Sequence, residues 1–166
     1  MHPLEQHIRS VPDFPKAGIM FKDIMPLMRD HLPAMITAMG EGINWNEIDV
    51  VIGIESRGFI LGSALAIKHN KGFIPVRKKG KLPPPIVAET YTLEYGTDTL
   101  EMAVMDKPLR VLLVDDVLAT GGTLRATKSL CEKNKCQVMG ASLFINLSFL
   151  NNFKQDGVPL YSVLTY

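Results

Sequence analysis

Cysteine and tryptophan are the scarcest residues of this 166-residue chain, with two copies and one copy. The cysteines, Cys131 and Cys136, are spaced neither as a CxxC redox pair nor as zinc ligands, and two thiols exclude a disulfide-built scaffold. Reduced thiols in a cytoplasmic protein are the expectation. His2, His7, His31 and His69 are scattered, so no metal cluster is expected. No apolar run approaches the ~20 residues needed to cross a bilayer as a helix, and Met1–His7 lacks the basic-then-apolar order of a signal peptide. Neither sign of charge dominates: 18 Lys and Arg face 17 Asp and Glu, a net charge of +1. That balance removes any bulk electrostatic case for nucleic acid or an anionic membrane as partner. Repeats and low-complexity stretches are absent as well.

What is present fits one globular domain over residues 1–166, at 46% hydrophobic and 21% charged residues. A short helix is expected at 4–9 and a Pro/Gly-punctuated loop at 11–18 that no regular element tolerates. Helices are predicted at 31–42, with Pro33 in the first turn, at 58–69 and at 124–133. Strands are predicted at 49–54, 73–76, 110–114, 137–147 and 159–164. Strands alternating with helices imply an α/β fold, a central mainly parallel sheet flanked by helices. Ligands of such sheets bind beyond the carboxyl ends of the strands. The exception to the alternation is about 77–105. It opens on the basic, proline-rich Arg77–Pro85 and continues as an apparent antiparallel hairpin, with Gly96–Asp98 as the turn. An insertion with ordered hairpin patterning reads as a lid.

The most informative stretch runs from Val111 to Leu124. An apolar strand precedes Asp115 and Asp116, placed where the strand should end, and Ala119-Thr120-Gly121-Gly122-Thr123 then opens a helix. A glycine loop at a helix N-terminus aims backbone N–H groups and the positive end of the helix dipole at a phosphate. Thr120 and Thr123 add hydroxyl donors. Two carboxylates beside a phosphate make sense if the ligand is a ribose phosphate whose hydroxyls they accept. Gly-Lys-Ser/Thr and Gly-x-Gly-x-x-Gly are both missing, which excludes a Walker loop and a dinucleotide fingerprint. The pattern resembles the phosphoribosyl pyrophosphate-binding motif of type I phosphoribosyltransferases.

A second strand-to-helix turn, Gly53–Phe59, lies at the same sheet edge. Taken alone it is an ordinary turn. Opposite a phosphate loop, Glu55, Ser56 and Arg57 become candidates for a pyrophosphate site, with Arg57 as charge-assisted donor. Arg77, Lys78, Lys79 and Lys81 directly follow a parallel strand, and of these Arg77, Lys78 and Lys81 are assigned to the same pyrophosphate.

Residues 11–24, 55–59, 77–82, 91–96 and 115–123 together resemble, in order, the motifs of adenine phosphoribosyltransferases. The resemblance covers about Gln6 to Tyr166. It implies transfer of a 5-phosphoribosyl group from phosphoribosyl pyrophosphate to adenine, giving AMP and pyrophosphate in purine salvage. It also implies Mg²⁺ carried by the pyrophosphate with no direct protein ligand, a homodimer, and a short N-terminal hood. Phe21 would stack on adenine, main-chain groups of Met20 and Lys22 would read its edge, and Glu94 on the lid would meet N7; Glu94 and Arg57 are the expected catalytic residues. Relatives acting on hypoxanthine and guanine carry Asp where this chain has Ala119, a residue that exchanges no proton. A transferase for xanthine or orotate is the alternative, and a phosphoribosyl pyrophosphate-sensing regulator a more distant one.

Overall fold

The computed structural model describes residues 2–93 and 96–166. Two compact units divide it, Met1–Ala38 and Met39–Tyr166. In the first, a 3-10 turn over Pro3–His7 precedes strands β1 (Arg9–Pro12) and β2 (Met20–Asp23), an antiparallel pair in which Val11 opposes Phe21. The expected 11–18 loop therefore begins as a strand. Pro12 is tolerated because it ends a two-stranded ribbon, where a missing N–H costs little. Buried Asp23 accepts Arg9 Nη2 at 2.6 Å, and its other oxygen accepts the Met25 N–H at 2.9 Å, capping the next helix.

That helix, α1 (Met25–Met39), starts earlier and stops sooner than the sequence suggests. It is broken at His31, whose φ of −135° is non-helical. Pro33 thus sits in the first turn after the break, where its missing N–H and fixed φ are harmless.

In the second unit, a seven-stranded sheet runs in the order β5-β6-β4-β3-β7-β8-β9. The strands are β3 (Val50–Ile54), β4 (Gly72–Lys78), β5 (Ile86–Leu93), β6 (Gly96–Ala103), β7 (Arg110–Leu118), β8 (Gln137–Asn146) and β9 (Leu160–Thr165). Strands β4, β3, β7, β8 and β9 are mutually parallel, as expected, while β6 joins β4 antiparallel through Arg77↔Glu101 and Lys78↔Leu100. The hairpin therefore extends the sheet. It starts at Ile86, and Gly96–Asp98, expected as its turn, belongs to β6.

Val50, Ile52 and Ile54 of β3 share one core cluster with Val111 and Leu113 of β7 and with Leu124 and Leu130 of helix α3 (Gly122–Lys133). The period-2 alternation of strands turns Val51 and Gly53 to the opposite face, against helix α2 (Arg57–Lys68). Here the packing is so close that glycine is required. A Cβ on Gly53 would lie 2.5 Å from the Phe73 ring and 2.6 Å from the Gly58 carbonyl, and one on Gly58 would lie 2.7 Å from the Val114 carbonyl.

Gly58→Ala should thus lower stability by about 2–3 kcal/mol, the scale of a core overpacking error, although alanine favours a helix. Gly72→Ala, whose Cβ would meet only Val50 at an ordinary 3.4 Å, should stay within about 0.5 kcal/mol of the parent in urea unfolding. Equal losses at both glycines would contradict the close approach of α2 to β7.

Candidate active site

The turn from β3 into α2 carries Glu55, Ser56 and Arg57 beyond the carboxyl end of the strand. Glu55 has little exposure and collects donors from the end of β4 and the segment after it: Lys81 Nζ at 2.5 Å, Arg77 Nε at 3.4 Å and the Lys78 N–H at 2.9 Å. The Lys81 ammonium foremost holds its carboxyl below the usual glutamate range, and the Lys78 amide adds to that. A carboxylate this occupied is the tether of the basic segment. Glu55 lines the cleft where the pyrophosphate is expected, with its carboxylate oxygens engaged by these donors.

Arg77 is drawn away with it. Its guanidinium lies over the Phe59 ring, 5.8 Å from the centroid, and it does not line the cleft that Lys78 and Lys81 line. Lys78 is itself paired with Asp98 of β6, an ion pair that raises the lysine and lowers the aspartate.

Strand β7 continues through the acidic pair to Leu118, because Val117 and Leu118 keep pairing with Ile145 and Asn146 of β8. The carboxylates therefore stand within the strand's last turn of pleat, not at its end. Arg57 Nε lies 2.6 Å from Asp116 Oδ2, off the line of a hydrogen bond. That buried oxygen remains without a hydrogen-bond donor among the described residues. Asp115 accepts the Asp116 N–H at 2.9 Å. Burial, and next the charge of Asp116, push the Asp115 carboxyl well above the normal aspartate range.

After Leu118 the chain turns through Ala119, Thr120 and Gly121, whose φ of +90° an L side chain rarely adopts, and α3 begins at Gly122. Together with Asp115 and Leu143 these residues line a small cavity of about 90 Å³. Beside it lies a larger cleft of about 560 Å³, walled by Glu55, Ser56, Arg57, Lys78, Lys81, Asp115, Asp116 and Thr123. Both strand-to-helix turns and the basic segment singled out in the sequence thus converge on one place. Asp115 and Thr123 line both spaces. Three cationic side chains near one anion-sized loop, with two acids between, suit a ligand having a phosphate at each end and hydroxyls in the middle.

Sequence reasoning missed the hairpin's share of this wall. Tyr91 and Leu100 line the cleft, and the Tyr91 hydroxyl lies 3.3 Å from Thr123 Oγ1 and 3.5 Å from Asp98 Oδ2. The alternation of β5 placed Tyr91 on one face, but nothing local showed which face would turn to α3. Glu94 lies outside the described residues. Met20, Phe21 and Lys22 form β2 of the first unit, where Phe21 meets Phe14 edge-to-face at 5.1 Å between centroids and Lys22 Nζ lies 3.1 Å from Ser10 Oγ.

Comparison with known proteins agrees with this geometry. The phosphoribosyl transferase domain family matches residues 34–148. Adenine phosphoribosyltransferase of Hydrogenovibrio crunogenus is 48% identical over 99% of this chain and 97% of its own length. The crystal structure of the Rhodothermus marinus adenine phosphoribosyltransferase superposes with a TM-score of 0.89 at 49% identity, covering 98% of this chain and 96% of that one. The Saccharomyces cerevisiae enzyme, solved with an imino-altritol bisphosphate and adenine, gives 0.87 at 34% identity, with 96% of each chain covered. The likeness extends over nearly the whole length, and the chain belongs to the adenine phosphoribosyltransferases of the phosphoribosyl transferase family.

Proposed function

We propose that the chain transfers the 5-phosphoribosyl group of phosphoribosyl pyrophosphate to adenine, releasing AMP and pyrophosphate. The observation that carries this reading is the shared cleft of Arg57, Lys78, Lys81, Asp115, Asp116 and Thr123 beside the Ala119–Gly122 loop. The loop amides and Thr123 take the 5′-phosphate; Asp115 and Asp116 accept the ribose hydroxyls; Arg57, Ser56, Lys78 and Lys81 take the pyrophosphate. Adenine as the base is supported by the family's identity and by the yeast relative solved with adenine. The sequence resemblance assigns that base to Met20, Phe21, Lys22 and Glu94.

In the reaction the C1′–N9 bond forms while the C1′–oxygen bond breaks, its electron pair leaving on pyrophosphate and the adenine N9 proton passing to water. Positive charge grows on the sugar, where the Asp115–Asp116 pair offsets it. Negative charge grows on the leaving group, where Arg57 and the two lysines offset it. Tyr91 and Leu100 on the hairpin wall reduce access of water to the sugar, consistent with a lid. Among the described residues no three His, Cys, Asp or Glu side chains assemble a metal cage. Mg²⁺ would enter with the substrate pyrophosphate, Asp115 and Asp116 being the aspartates of the same cleft, and would draw charge from the departing group. A homodimer and a cytoplasmic setting complete the proposal. The buried free thiols of Cys131 and Cys136 suit a reducing compartment.

Incubation with phosphoribosyl pyrophosphate, Mg²⁺ and each common base should yield AMP from adenine, with kcat/KM for hypoxanthine and guanine lower by at least ~100-fold. Efficient use of either, or of xanthine or orotate, would overturn the adenine assignment. Glu94→Gln should lower kcat about 100-fold if its proton matters and only a few-fold if it merely accepts or donates a hydrogen bond.

Asp115 supplies a third prediction, with opposite signs for stability and activity. Its folded pKa lies above its unfolded value, so it takes up protons on folding, and stability declines as pH rises from the unfolded value through the folded one. Asp115→Asn should therefore raise Tm by a few degrees at pH 7.5, and the gain should vanish as pH falls to about 4. The same change should cost about 10-fold or more in kcat/KM for phosphoribosyl pyrophosphate, because a charge-assisted acceptor is lost. A lower Tm at pH 7.5 would refute the buried-charge account.

A further inference from the structure

The phosphate loop has an outer side that the reading above does not use. Four successive carbonyls along it are each engaged. Leu118 C=O accepts the Leu147 N–H at 2.9 Å, and Ala119 C=O accepts Asn151 Nδ2 at 3.0 Å. Thr120 C=O accepts Arg125 Nη1 at 3.3 Å, and Gly121 C=O accepts the Arg125 N–H at 2.9 Å. Two of these donors are backbone groups, of Leu147 just after β8 and of Arg125 in α3. The other two are side chains, Asn151 and Arg125.

Neither side chain is loosely placed. Arg125 Nε reaches Asp156 at 2.8 Å and Nη2 reaches Asn152 Oδ1 at 2.7 Å, while the guanidinium lies 5.7 Å from the Phe153 ring centroid. Asn151 Nδ2 is also held by Leu147 C=O at 2.9 Å and Asn146 Oδ1 at 3.1 Å, and its own Oδ1 accepts the Phe153 N–H at 3.2 Å. The segment between β8 and β9, anchored by fully buried Phe153, thus backs the loop.

In a trans peptide the C=O of one residue and the N–H of the next point in opposite directions. Fixing the Ala119 carbonyl towards Asn151 therefore turns the Thr120 N–H the other way, and fixing the Thr120 carbonyl towards Arg125 does the same for the Gly121 N–H. Among the described residues none of the N–H groups of Thr120, Gly121, Gly122 or Thr123 donates within the chain. Gly121 needs this constraint most, since a glycine peptide otherwise rotates cheaply.

We propose that Arg125 and Asn151 are positioning residues for the 5′-phosphate, acting from behind the loop by setting the direction of its amide groups. The proposal rests on the reading that this loop holds that phosphate. Neither side chain is placed among the groups that touch substrate, and Arg125 is spoken for by Asp156 and Asn152.

The test uses the full-length protein with Arg125→Met, Arg125→Lys and the isosteric Asn151→Asp, which accepts but cannot donate. Measured quantities are inhibition constants for AMP, adenosine and pyrophosphate, KM for phosphoribosyl pyrophosphate and adenine, and Tm. For Arg125→Met and Asn151→Asp, the advantage of AMP over adenosine should shrink about tenfold, and KM for phosphoribosyl pyrophosphate should rise by a similar factor. Pyrophosphate inhibition and adenine KM should stay within about twofold, which a general loosening of the fold would not allow. Arg125→Lys keeps the charge but lacks the planar fork that spans Thr120, Asn152 and Asp156, so it should resemble Arg125→Met. Wild-type behaviour of both Met and Asp variants would overturn the proposal, as would full rescue by Lys, which would assign the effect to charge alone. Parallel weakening of AMP, adenosine and pyrophosphate would also overturn it. If instead the parent protein bound AMP no better than adenosine, the phosphate-loop reading itself would fall.

Discussion

The parallel pairing of β3 with β7, in register from Val50↔Val111 to Gly53↔Val114, is the contact on which the site depends. It brings two strand-to-helix turns, separated by some sixty residues of chain, to adjacent places at one sheet edge. The close seat of α2 follows from it: Gly58 lies against the Val114 carbonyl, where no other residue has room. Any shift of one strand along the other would carry Arg57 away from Asp116 and divide one cleft into two unrelated turns. A slip of a single residue would also exchange the two faces of β3, turning Val50, Ile52 and Ile54 towards α2. Apolar burial along Val50–Ile54 and Val111–Val114 therefore holds the catalytic geometry as well as the fold.

Electrostatics within the cleft shows how function is set against stability. Asp115 and Asp116 place two carboxylates side by side with limited solvent, an arrangement a protein selected only for stability would avoid. Glu55 works the other way. It is a partner for Lys81, Arg77 and the Lys78 amide, and it keeps a segment rich in like charge folded back towards the sheet. Only the basic partners of these ion pairs reach solvent to any extent. Their effect lies in position, because they hold cations close to where an anion would bind.

The hairpin is tied in by similar contacts. Glu89 of β5 meets Lys133 and Ser129 of α3, Glu101 of β6 accepts the Gly80 N–H, and Asp98 pairs with Lys78. These contacts join the insertion to both the basic segment and the helix that follows the phosphate loop. Tyr91 beside Thr123 completes the join at the cleft itself. An insertion legible only as a lid thus proves to be part of the sheet, built into the wall.

Much of this was readable locally, and for definite reasons. The buried parallel strands stand out because both faces are covered, so their apolar runs are continuous. The phosphate loop stands out because its glycines and hydroxyls have few other uses at a helix start. The sequence also showed Arg57, Lys78, Lys81, Asp115 and Asp116 as chemistry-bearing groups at one sheet edge. Tertiary structure alone decided their partners. It extended β7 past the acids by pairing Val117 with Ile145, gave Glu55 to Lys81, and turned Arg77 over Phe59. It also faced Tyr91 inwards and set Arg125 and Asn151 behind the loop. Each of these depends on contacts between residues distant in the chain, where the local pattern permits several partners and only packing selects one.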